Sequence, residues 1–180
     1  LEAVTRTAGE KEHSYVAAFR LGFIEAEPLL KRSTAAMTRQ LAAKYESAAL
    51  EANKAGALSM EASILKSAAV VAETLGDFRK AHDLNQRSVA LYEKIPGDQQ
   101  SQIEALSAYG KLKTRTGEPK AAIPILERAV AMSRAIPNPA LESTALSNLA
   151  SAYETLSDGA NGMRYGEEAL RASRLSGEKK

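Results

Sequence analysis

The chain has 180 residues, 44% of them hydrophobic and 26% charged, which is the composition of an ordinary soluble globular protein with room for one substantial core. Its 24 basic and 22 acidic side chains leave a net charge of +2, too balanced to point to nucleic acid or to an anionic membrane surface as a partner. Cysteine is absent, which excludes disulfides and thiolate metal sites, and no apolar run approaches the roughly 20 residues of a membrane helix.

Taken in chain order, residues 1–11 read as a frayed tail. Residues 12–56 read as a degenerate helical pair or cap, with helices over 12–27 and about 34–54. Pro28 lies between them and either kinks one long helix or starts the next. Tyr45, Ala48, Ala49 and Ala52 in this stretch echo the end of a second helix. Beyond them, apolar residues recur at three- and four-residue spacing, the helical period. They mark helices over 57–75 (Ile64, Leu65, Ala68, Ala72), 77–94 (Phe78, Ala81, Leu84, Val89), 99–116 (Ile103, Leu106, Tyr109, Leu112), 118–135 (Ile123, Leu126, Val130), 140–156 (Leu141, Leu146, Leu149, Tyr153) and 159–175 (Met163, Leu170, Leu175). Residues 177–180 form a second tail.

The breaks between helices repeat. Leu75-Gly76-Asp77, Thr116-Gly117-Glu118 and Leu156-Ser157-Asp158 are spaced by about 40 residues, and a second class of Gly and Pro breaks alternates with them at 55–56, 95–98, 136–139 and 176–177. Asp77 and Asp158 fit helix N-caps, and Pro119 fits a first turn. Pro124 falls inside a helix and is expected to bend it. Every connection is short, so successive helices are expected to run antiparallel and to form three pairs, 57–95, 99–136 and 140–176, each stacked on the last. The first helix of each pair has a small residue in its middle (Ala69, Gly110, Ala150). The second helix has one early (Ala81, Ala122, Gly162) and another seven residues later (Ser88, Ala129, Ala169). Small side chains at facing positions let two helix backbones approach closely.

On these residues, most clearly Leu149-Ala150…Tyr153 followed by Ser157-Asp158 and Ala169-Leu170, the sequence resembles the tetratricopeptide-repeat family in an extended form of roughly 40 residues per repeat, against the usual 34. The resemblance covers about residues 58–175. It departs from the family pattern in having no Trp, in Ala and Leu at some aromatic positions, and in Pro124. It implies a single all-α domain, a right-handed α-solenoid of antiparallel helix hairpins with about eight helices.

The resemblance further implies that the first helices line a concave groove for a protein or peptide. That face would carry Ser63, Lys66, Val70 and Glu73 on the first pair, Glu104, Ser107, Lys111 and Arg115 on the second, and Thr144, Asn148, Ser151 and Glu154 on the third. An Asn on successive first helices is a known device of the extended form for holding a peptide backbone. Asn148 fits it, whereas Ser67 and Ala108 stand at the equivalent places; the bland reading of Asn148 is a polar residue facing water. The carboxylate clamp of some family members is poorly matched, since Lys66 suits one place but Val70 and Ala108 replace its Asn residues.

Catalytic chemistry finds no foothold. His13 and His82 lie on different helices, and zinc needs three or four ligands at matched spacing. No nucleophile elbow, P-loop or HExxH run is present. Gly159, Gly162 and Gly166 read as a helix-packing seam rather than a phosphate loop. Lys111, Lys113 and Arg115 read as cations at a helix C-terminus.

The expectation is therefore a non-enzymatic scaffold without cofactor or metal, with a protein or peptide as partner and neither nucleic acid nor membrane. Self-association through the terminal helices (Met163, Leu170, Leu175) is possible on this reading. The alternative is a regulatory or sensory segment of a larger signalling or transcription-control protein. The first residue is Leu1, which suggests a piece of a longer chain. A cytoplasmic location is expected, with an exported form left open.

Overall fold

The computed structural model describes residues 35–177, and all regular structure among them is helical. The expected helix over 12–27, the tail at 1–11 and residues 178–180 lie outside the described residues, and Gly177, expected to begin the second tail, ends the last helix. Seven helices follow in order: α1 Ala35–Lys54, α2 Leu58–Thr74, α3 Phe78–Tyr92, α4 Gln99–Arg115, α5 Pro119–Ser133, α6 Pro139–Thr155 and α7 Gly159–Gly177.

The chain divides into two compact units, Leu1–Leu91 and Tyr92–Lys180. In the first, α2 packs on α1. Helix α3 returns beside α2, where the Ser88 hydroxyl donates to the Ala62 carbonyl at 2.7 Å. In the second, α4 pairs with α5 and α6 with α7, while α6 also packs on both helices of the preceding pair. This is the arrangement of consecutive helix pairs expected from the alternating breaks.

One turn recurs four times. After α1, α2, α4 and α6 the chain closes with a backbone bond from the third residue past the helix back five positions. Ala57 donates to Ala52, Asp77 to Ala72, Glu118 to Lys113 and Asp158 to Tyr153, at 2.8–3.0 Å. This Schellman closure needs a residue at positive φ. Gly56, Gly76 and Gly117 supply it, and in the last turn Ser157 adopts φ 61° in their place. Side chains then cap the following helices: Asp77 accepts from the Lys80 N–H, Asp98 from Ser101, Asn138 from Leu141 and Asp158 from Asn161. Pro119 and Pro139 occupy first turns, and α5 continues through Pro124.

All nine small residues named above are buried. Two of them show why. A Cβ on Gly110 would lie 2.5 Å from Leu126 Cγ and Cδ2, and one on Gly162 would lie 2.8 Å from Glu154 Cγ. Helix α5 therefore lays Leu126 against α4 at Gly110, and the Glu154 stem of α6 lies against α7 at Gly162, each closer than a Cβ would allow unless the neighbouring side chain moved. Gly159 and Gly166 behave differently. A Cβ on either meets nothing within 4 Å, so the packing-seam reading of these two is corrected: Gly162 alone of the three is held by a crossing helix.

Candidate partner-binding face

In the second unit, α4 and α6 are first helices of successive pairs and pack side by side. Their shared face derives from helical spacing, which puts residues three, four and seven apart on one side. On α4, Lys111 and Arg115 are exposed, Glu104 is half-buried and Ser107 is buried. On α6, Thr144, Ser151 and Glu154 are exposed and Asn148 is half-buried. The structure brings two of these residues together: Asn148 Nδ2 donates to the Ser107 carbonyl at 3.3 Å. Asn148 thus spans the seam between first helices, and its bland reading as a side chain facing water is corrected.

The Ser107 hydroxyl is enclosed by the same seam and has no hydrogen-bond partner. Thr144 donates to the Ala140 carbonyl, and the Ser151 carbonyl accepts from the Thr155 hydroxyl, both bonds within α6. Glu154 stands apart from the row. Its Cγ lies over Gly162 on α7, which puts its stem at the α6–α7 crossing. The basic group on α4 is also internally engaged: Lys113 bonds Glu118 at 3.0 Å and stands 5.3 Å from the centre of the Tyr109 ring.

In the first unit, Ser63, Lys66, Val70 and Glu73 lie on α2. Val70 is about half exposed and the other three are half-buried. Ser67, the counterpart of Asn148, donates to the Ser63 carbonyl at 3.2 Å. Its hydroxyl also bonds Tyr45 of α1, whose phenol burial pushes above the usual tyrosine range. Ser67 and Asn148 therefore each meet an element that precedes them in the chain.

Sequence reading missed several polar contacts. Glu61 is buried at the start of α2, where Asn53 donates to it at 2.9 Å and Arg87 lies 3.9 Å away. Ion pairs link successive second helices: Lys80 with Glu46, and Arg134 with Glu168, while Arg134 also reaches Glu142 at 3.1 Å. Tyr153 stacks on Tyr165 with ring centres 5.5 Å apart and donates to Glu127 at 3.3 Å. Burial, reinforced by the Glu127 carboxylate, raises the Tyr153 phenol above its ordinary range. The partners lie 34, 34, 8, 12 and 26 residues apart in sequence, and no local pattern announces them.

Among the described residues, no three His, Asp or Glu side chains are grouped to hold a metal ion, and no helix is long and apolar enough to cross a membrane.

Residues 60–135 match a tetratricopeptide-repeat family model. Among solved structures, the chain is similar to the crystal structure of BtubC (BKLC) from P. vanneervenii, at 20% identity and a TM-score of 0.70. The likeness covers 78% of this chain but only 58% of that one, and at this identity it speaks for the fold alone. No curated protein matches the sequence. Members of the matched family are in general non-catalytic modules that bind other proteins. The matched segment spans less than half of the chain; with the same turn repeated on either side of it, the chain has the fold of tetratricopeptide repeats.

Proposed function

We propose that the chain is a non-catalytic interaction scaffold that holds a peptide or protein segment along its first helices, with Lys111, Arg115, Thr144 and Ser151 as the contact row in the second unit. One observation carries this reading. Asn148 bonds α6 to the backbone of α4, which fixes two neighbouring helices in register while leaving Lys111, Thr144 and Ser151 exposed on their shared face. A pre-ordered row of polar side chains binds a segment at low entropic cost, because the protein side does not have to be immobilised on contact. The exposed Lys111 ammonium favours a segment bearing a carboxylate near that end of the row.

The test is affinity capture with the full chain, followed by titration of the captured segment against Lys111→Glu and Ser151→Arg. Ala131→Glu on the exposed side of α5 serves as control. Both first-helix variants are expected to weaken binding by at least tenfold with unchanged helical content. Equal affinity for all three variants would refute the assignment of this face.

A further inference from the structure

Residues 158–162 read Asp-Gly-Ala-Asn-Gly, and the two earlier pairs carry a different sequence at the same turn. There Asp77 is followed by Phe78 and Glu118 by Pro119, and the places of Asn161-Gly162 hold Lys80-Ala81 and Ala121-Ala122. In Asn-Gly the asparagine side chain is most open to attack by its own main chain, because the next residue has no side chain to shield the amide nitrogen. The other asparagines are each followed by a larger residue or by proline: Asn53-Lys54, Asn85-Gln86, Asn138-Pro139 and Asn148-Leu149.

The fold gives each residue of the pair a separate reason to be there. Asn161 belongs to the cap of α7: its N–H donates to one carboxylate oxygen of Asp158 at 3.2 Å, and its side-chain amide donates to the other at 2.7 Å. Gly162 is buried, and a Cβ there would lie 2.8 Å from Glu154 Cγ. One position calls for a side-chain donor and the next for no side chain at all. Together they set a reactive dipeptide in the first turn of a helix.

The same contacts hold the reaction back. Ring closure requires the Gly162 nitrogen to reach Asn161 Cγ, and helical backbone dihedrals keep it away. The proton on that nitrogen is also engaged, since the Gly162 N–H donates to the Asp158 carbonyl at 3.0 Å. Reaction therefore waits for the first turn of α7 to open. Helix ends open far more readily than cores. This one carries Gly159, Gly162 and Gly166, and glycine is the poorest helix former after proline.

We infer that Asn161 is a site of spontaneous deamidation, gated by opening of the first turn of α7. In the opened turn the Gly162 nitrogen gives its proton to base and attacks Asn161 Cγ. The N–Cγ bond forms, the Cγ–Nδ2 bond breaks, and Nδ2 departs as ammonia, leaving a five-membered succinimide. Water then opens the ring. Attack at Cγ yields aspartate, and attack at the main-chain carbonyl yields isoaspartate, whose main chain runs through Cβ and Cγ.

Either product lacks the amide that donates to Asp158. Aspartate sets a second carboxylate against Asp158 in its place. Isoaspartate lengthens the main chain by one carbon, so the Gly162 N–H no longer meets the Asp158 carbonyl in register. A turn that has reacted while open cannot close as before, which makes the modification a one-way release of the start of α7. The inference stands independently of the proposed peptide face on α4 and α6.

The test incubates the full chain in mildly alkaline buffer, with and without guanidinium chloride, and follows each asparagine by peptide mapping with mass spectrometry that distinguishes aspartate from isoaspartate. Product is expected at Asn161 and at no other asparagine of the native chain, and guanidinium should speed it at least tenfold. Asp158→Ala removes the cap and should speed the native reaction about fivefold, with no effect in guanidinium. Circular dichroism checks that this variant folds. If it does not, Ser157→Gly, which relieves the left-handed serine of the same turn, carries the test with the opposite sign and should slow the native reaction about threefold.

In guanidinium, where packing against Glu154 no longer matters, Gly162→Ala should slow the reaction at least tenfold. A native chain whose Asn161 stays intact while the unfolded chain converts fully overturns the inference. Equal rates with and without guanidinium overturn the gating, as does a folded Asp158→Ala or a Ser157→Gly that reacts at the wild-type rate. Conversion at Asn148 or Asn53 as fast as at Asn161, or a Gly162→Ala indifferent in guanidinium, overturns the assignment of the site.

Discussion

Gly110 and Leu126 occupy the same crossing of α4 and α5, with the fully buried Leu126 side chain resting where a Cβ of residue 110 would be. Two effects oppose each other when Gly110 becomes Ala. Helix propensity favours Ala by about 1 kcal/mol. A contact of 2.5 Å with a buried leucine forces the helices apart, and overpacking of this kind costs about 1–3 kcal/mol. The clash is expected to win at Gly110, so Gly110→Ala should lower stability by about 1–2 kcal/mol in a denaturant titration. Gly166→Ala meets no neighbour and should raise it by about 0.5–1 kcal/mol.

Ser157 holds φ 61° in a turn whose counterparts are glycine. A non-glycine residue in the left-handed region carries a cost of roughly 1–2 kcal/mol, partly offset by the greater freedom glycine has when unfolded. Ser157→Gly should therefore stabilise the chain by about 0.5–1 kcal/mol, and Gly117→Ala should destabilise it by about 1 kcal/mol. Thermal unfolding of the two variants would show opposite shifts in midpoint. A destabilising Ser157→Gly would mean that the serine side chain contributes more than its backbone strain costs.

Asn148 and Ser107 give a pair of predictions of opposite sign. Asn148→Ala removes the bond across the α4–α6 seam and should cost about 1 kcal/mol. Ser107→Ala removes a buried hydroxyl that has no partner, and should be neutral or stabilising by up to about 1 kcal/mol. The same contrast bears on the proposed function. Asn148→Ala alters the scaffold as well as any contact with a ligand, so binding is better probed at Lys111 and Ser151.

Asp158 caps α7, and its hydrogen bonds to the Asn161 side chain and backbone hold its carboxyl below the usual aspartate range. A carboxyl depressed on folding stabilises the fold above its unfolded pKa, about 3.9, and that contribution disappears as pH falls through the lower folded value. The stability difference between wild type and Asp158→Ala should accordingly be constant near neutral pH and shrink below about pH 4. Urea titrations of both proteins from pH 7 to pH 3 check this. A difference that stays level across the range would show that the charged cap is not the source.

How much of this was legible beforehand depends on the range of the interaction. Asp77 and Asp158 were readable as caps because a cap acts on the N–H groups two or three residues along. The turns at Gly76 and Gly117 were readable because their closure is a matter of local dihedral angles. Ala69, Gly110, Ala122 and Ala129 were readable as crossing points only because the repeat presents similar sites more than once. Gly159 and Gly166 were misread for the same reason. Residue type shows that a side chain is small, not whether a neighbouring helix requires it.

The amino-acid sequence by itself determined the helix boundaries, the turn chemistry, the pairing order and the resemblance to tetratricopeptide repeats, since each is encoded within one repeat or in its recurrence. The tertiary structure decided that Asn148 reaches the Ser107 carbonyl, that Arg134 bridges Glu142 and Glu168, that Glu61 lies buried beside Asn53, and that Gly166 faces open space. Those outcomes depend on how far one helix is shifted and rotated against another. A change of about 1.5 Å, one residue's rise, would exchange every partner along such a seam, and no local pattern of residues sets that offset.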